Sequence, residues 1–137
     1  NIIKQINEFG INTKIKGYNF NYFNPNYSIN IEKNSAIFTC ASLEQINEDY
    51  KDFINYLIDK KPDLCIHFEP ETDLLNKNNL IDKLSIMYSS KRKYLKNFLS
   101  YLKSLESQGK VEVILAKRIF GGSYFIEGYQ PIVWKVK

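Results

Sequence analysis

Ser35 to Gln45 reads SAIFTCASLEQ, an apolar run that stops abruptly in small and polar residues. Ala36, Ile37 and Phe38 have the character of a buried strand, whereas Thr39 to Ser42 would lose hydrogen bonds in a core. The stretch predicts a parallel strand whose C-terminal end opens onto a site, followed by a helix. Further along, Leu64-Cys65-Ile66-His67-Phe68-Glu69-Pro70 repeats the shape, apolar first and polar at its end. Between the two, Ile46 to Lys61 sets Ile46, Tyr50, Phe53, Ile54, Leu57 and Ile58 on one stripe and charged residues on the other, until Pro62 ends the helix. Strand, helix, strand in this order predicts a right-handed crossover. In such open α/β sheets ligands bind beyond the carboxyl ends of the strands, so Cys40 to Gln45 and His67 to Glu69 are expected to line one cleft.

Composition bounds the rest. With 137 residues, 44% of them hydrophobic, the chain has room for a single α/β domain with a real core. The net charge of +4 is spread along the chain apart from Lys91-Arg92-Lys93, which is too short for a basic arm, so no nucleic-acid partner is expected. Cys40 and Cys65 both fall in strands expected to be buried, where free cysteine is a small hydrophobe, and this suggests a reducing, cytoplasmic setting. No apolar stretch approaches the ~20 residues that cross a bilayer, so no membrane is expected.

Ile2 to Phe9 has helical spacing and Gly10 follows as a stop. Asn12 to Asn21 and Ser28 to Ile31 suggest strands. After a polar loop, Asn78 or Asn79 offers an N-cap to a long helical pattern in which Leu80, Leu84, Met87, Tyr88, Tyr94, Leu95, Phe98, Leu99, Leu102 and Leu105 recur, with a break expected at Ser89-Ser90. The tail reads as two strands, VEVILAK and the run from Ile132 to Val136, joined by a long loop containing Gly128 and Pro131.

This order of elements resembles the C-terminal half of the class I S-adenosylmethionine-dependent methyltransferases, a Rossmann-like sheet of parallel strands and crossover helices closed by an antiparallel hairpin. More specifically FTCASLEQ (Phe38 to Gln45), CIHFEP (Cys65 to Pro70), YSSKRKYL (Tyr88 to Leu95) and RIFGGSYFIEGYQPIVWK (Arg118 to Lys135) look like bacterial sugar O-methyltransferases of capsule and surface-polysaccharide clusters. The resemblance implies methyl transfer from S-adenosyl-L-methionine to an oxygen of a sugar, sugar phosphate or related small-molecule precursor, with homodimerisation open. It also implies that the domain's cofactor-binding N-terminal half is missing: no G-x-G-x-x-G turn occurs, and Gly121-Gly122 falls in the hairpin. The fragment alone is then expected to be inactive, and a non-catalytic α/β binding or assembly module that uses the His67 side as a groove is the alternative.

Methyl transfer to a neutral hydroxyl requires alignment and a base for its proton. His67 is the only histidine, and its reference pKa near ~6.5 suits that task; a histidine hydrogen-bonded beneath the sheet is the competing reading. Glu69 shares its side of the strand and is expected to orient the imidazole or bind sugar hydroxyls. Glu44, at a helix start, serves either the dipole or the ligand. By the resemblance, Thr39, Cys40, Ala41, Ser42 and Gln45 line the methionine end of the cofactor and Asn21 lies near its adenine. Arg92 and Arg118 are candidate clamps for an anionic acceptor, or simple salt bridges, with Tyr88 beside them. One histidine and two strand cysteines lack metal-ligand spacing.

Overall fold

Alternation along Leu64–Glu69 (β2) sends Cys65, His67 and Glu69 to a fully buried side and Ile66 and Phe68 to a half-buried one. The computed structural model describes residues 16–119, 122–123 and 126–137. In it β2 lies parallel to Ala36–Cys40 (β1), with Ala36 opposite Leu64 and Thr39 opposite His67. Lys51–Lys60 (α1) makes the crossover. Leu80–Arg92 (α2) and Phe98–Ser107 (α3) follow, then the strands Val111–Ala116 (β3), Gly122–Ser123 (β4), Ile126–Glu127 (β5) and Gln130–Val136 (β6). The architecture is α/β: a mixed open sheet in the order β1-β2-β6-β3, with β6 antiparallel to both neighbours, and a separate small β4-β5 ladder.

The core fills one face of this sheet. Phe53, Ile54 and Leu57 from α1 and Phe98, Leu102 and Leu105 from α3 close over Cys65, His67, Ile132 and Trp134. Burying a side chain of this size contributes about 1.5–3 kcal/mol. On the opposite face Phe38 and Ile114 remain 61% and 51% exposed. Cys40 shares that open face and is exposed, contrary to the expectation of burial, because alternation turns it away from the helices. Cys65, on the covered face, has its thiol pushed up to about 12 by burial, and both cysteines are free.

The long C-terminal helical pattern divides later than its sequence suggests. Asn79 does cap α2, its side chain accepting from the N–H groups of Ile81 and Asp82. The helix runs through Ser89-Ser90 and stops at Lys93, where φ turns to +55° and the carbonyls of Ser89 and Ser90 accept the N–H groups of Tyr94 and Lys93. Only the second half of the apolar stripe is buried. Leu80 and Met87 stand 69% and 59% exposed, because α2 turns Asp82 and Ser85 inward and is tied down by polar contacts.

Residues 16–31 contain no strand, in place of the two expected. The side chains of Asn21 and Asn26 accept the N–H groups of Phe23 and Ser28, forming local turns that compete with a ladder. Phe20 and Tyr22 then pack edge-on against Phe53 of α1 at 5.8 and 4.8 Å. Pro131, assigned to the final loop, lies within β6. The helix at Ile2 to Phe9, the start of the strand at Asn12, and Gly121 lie outside the described residues. Among the described residues no helix is long and apolar enough to cross a membrane.

Candidate functional site

Ala41 ends β1 with φ at +52°, and its N–H still reaches the Phe68 carbonyl at 3.0 Å. This turn redirects the chain into a single 3-10 turn, Glu44–Ile46, across the end of β2. The Ser42 N–H then meets Oε1 of Glu69 at 3.2 Å, and the Ser42 hydroxyl lies 3.0 Å from that of Tyr22. Glu69 is fully enclosed and its Oε2 has no partner. Burial raises its carboxyl above the usual range, while the N–H groups of Leu43, Ser42 and Glu44 pull it down.

Beyond this tip a cleft of about 220 Å3 opens between Glu44, Glu71, Ser85, Tyr94 and Tyr129. Glu44 is held on both sides: Oε1 accepts from Gln45 Nε2 at 2.9 Å and Oε2 from the Tyr129 hydroxyl at 3.3 Å. Burial, and next the charge of Glu44, raises the phenol of Tyr129. Glu71 is engaged structurally, its two oxygens accepting the N–H groups of Asp73 (2.9 Å) and Leu99 (3.1 Å). Asp73 adds a bond from the Ser100 N–H at 2.8 Å, so the first turn of α3 is capped from the loop after β2 rather than by Asn97, which has no side-chain cap bond. Burial pushes the Glu71 carboxyl up to about 7 against the pull of the Asp73 N–H. The Ser85 hydroxyl, at the cleft wall, is buried without a partner.

His67 lies elsewhere, which corrects its expected place at this cleft. Its ring is sealed beneath the sheet, stacked on Trp134 at 6.2 Å and edge-on to Phe98 at 5.2 Å, with Nδ1 2.8 Å from Thr39 Oγ1. Desolvation drives its pKa down to about 3. A neutral imidazole enclosed in this way has no route to a solvent-borne acceptor, and the competing reading, a core histidine, describes it. The physical reason is register: His67 faces the helices two residues before the strand ends, and Glu69 and Glu71 occupy the tip.

The remaining candidates divide. Glu44, Glu69, Ala41 and Ser42 are brought together at the tip, with Cys40 and Gln45 exposed beside them. Thr39 is buried and engaged with His67. Asn21 accepts the Phe23 N–H in an exposed turn, one residue from Tyr22 at Ser42. Arg118 does not stand free as a clamp, since its guanidinium grips Asp82 with two bonds of 2.7 and 2.6 Å. Arg92 is exposed over the rings of Tyr94 and Tyr88, at 5.6 and 6.0 Å. Sequence reasoning missed Glu71, Ser85 and Tyr129. Glu71 carried a signal, because it continues the same-side alternation of His67 and Glu69; the other two depend on where α2 and Tyr129 are placed in space.

Among the described residues no group of three or more His, Cys, Asp or Glu could hold a metal ion. The chain matches no family model, no curated protein and no solved structure.

Proposed function

We propose that this chain is the acceptor-binding portion of an S-adenosylmethionine-dependent O-methyltransferase acting on a sugar or sugar-phosphate precursor, with Glu44 as the base. The observation that carries the reading is Glu44 itself, fixed by Tyr129 and Gln45 at a cleft beyond the C-terminal ends of two parallel strands. A sheet whose parallel pair is continued by antiparallel β6, with β3 beyond it running in the direction of the pair, supports it, as does the exposure of Phe38 on the other face, which suits packing against residues outside the described ones. The groove proposed on the His67 side loses support, because α1 and α3 fill that face.

The described residues do not amount to a cofactor site. Thr39, Ser42, Asn21 and Gln45 are engaged with His67, Glu69, Phe23 and Glu44, which leaves Cys40 and Ala41 at the tip. On this reading the cofactor is held mainly by residues outside the described ones. The part these residues play is to orient an acceptor hydroxyl and receive its proton on Glu44.

Calorimetric titration of the complete natural protein with S-adenosylhomocysteine tests the reading. Saturable binding, with labelled methyl transfer to a sugar or sugar-phosphate acceptor, is expected; absence of binding by the complete protein overturns it.

A further inference from the structure

A second cleft, of about 280 Å3, adjoins the first and shares Thr72, Ser89 and Tyr94 with it. Each alone falls short of the roughly 300 Å3 at which small-molecule pockets begin, and the two together enter that range. Their chemistry differs. The first presents the Glu44 carboxylate and the Tyr129 hydroxyl, whereas the second is walled by Lys93 and Lys96 with the hydroxyl residues Ser89 and Ser90.

Among the described residues no carboxylate lies within ion-pair distance of Lys93. Lys96 touches Glu48 at 3.1 Å, an exposed pair of the kind that contributes little. The end of α2 disfavours an anion, and two of its last four carbonyls, those of Ser89 and Ser90, soften this by accepting the N–H groups of Tyr94 and Lys93. The spacing between the clefts is also fixed. The Leu95 N–H bonds the Glu44 carbonyl at 2.9 Å and the Lys96 N–H bonds that of Asn47 at 3.3 Å, so the backbone carrying Lys96 is tied to the turn carrying Glu44.

We infer that the Lys93–Lys96 cleft is an anion subsite that receives the phosphate of a phosphorylated acceptor while its hydroxyl lies at Glu44. The inference rests on the reading above for the acceptor hydroxyl, and it selects a phosphate ester over a neutral sugar. An acceptor bridging both clefts is sorted by charge: like-charge repulsion turns its phosphate from Glu44, and the Lys93 charge, with Lys96 exchanging its exposed partner Glu48 for the phosphate, draws it to the other end.

The test is a nitrogen-15 NMR titration of the complete natural protein with inorganic phosphate, against sodium chloride of equal ionic strength. Saturable shifts confined to the amides of Ser89, Ser90, Lys93, Tyr94 and Lys96 are expected. Lys93→Gln and Lys96→Gln should each weaken binding about two- to fivefold, the order for losing one exposed charge contact, and Lys91→Gln should leave it unchanged. Shifts that do not saturate, that centre elsewhere, or that respond equally to Lys91→Gln overturn the subsite. Because the readout is phosphate alone, a subsite that binds it in a protein that ignores S-adenosylhomocysteine would separate this inference from the methyltransferase reading.

Discussion

Thr39 and His67 stand opposite each other on the two parallel strands, with Oγ1 2.8 Å from Nδ1 and both side chains buried. The hydroxyl satisfies one ring nitrogen, and Nε2 is left without a partner between Trp134 and the helices. A buried orphan nitrogen is costly, and the cost rises steeply when the ring is protonated.

Acid sensitivity follows. The folded pKa of His67, about 3, lies below its ordinary 6.5, so this group's contribution is present above pH 6.5 and is lost as pH falls towards 3. His67→Gln, which does not titrate, should flatten the stability-pH curve by up to about 1.4 kcal/mol per pH unit in that window. Chemical denaturation at stepped pH measures it.

Glu71 works in the opposite direction. Its folded pKa, about 7, lies above its ordinary 4.5, so its contribution is full below 4.5 and is lost as pH rises through 7. Between about pH 4.5 and 6.5 the two slopes offset each other. His67→Gln should therefore unmask stability that falls with pH, and Glu71→Gln stability that rises with it. Glu71→Gln also leaves one of two capped N–H groups without an acceptor, a loss of about 1–3 kcal/mol.

The two helices after β2 should respond unequally to truncation. Leu102, fully buried on α3, is expected to lose about 2–5 kcal/mol on replacement by Ala. Leu80→Ala, at a position 69% exposed on α2, should stay within about 0.5 kcal/mol. Asp82→Asn instead should loosen α2, because that side chain holds both Arg118 and the Asn76 N–H, and faster amide exchange at Asn76 reports it.

Catalysis should separate Glu44 from His67. Under the proposed methyl transfer, Glu44→Gln in the complete protein is expected to lower kcat about 10²–10⁴-fold, the range for losing a general base. His67→Gln should leave kcat at pH 8 near the natural value, and a large loss there would return the imidazole to the mechanism.

Much of the frame was legible in the chain itself. Short apolar runs around Ile37 and Ile66 joined by a period-3.6 stripe specify a strand-helix-strand unit, although the helix expected from Ile46 begins only at Lys51, after the 3-10 turn at Glu44–Ile46. That Glu44 and Glu69 gather at one end follows from the same parallel pairing. What residue order left open was depth and direction. Whether His67 meets solvent or Trp134 depends on β6, distant in sequence, pairing beside β2. Whether Arg118 is a clamp or a strut depends on α2 turning Asp82 inward. Periodicity fixes which side chains share a face, and only packing between remote segments decides what that face meets.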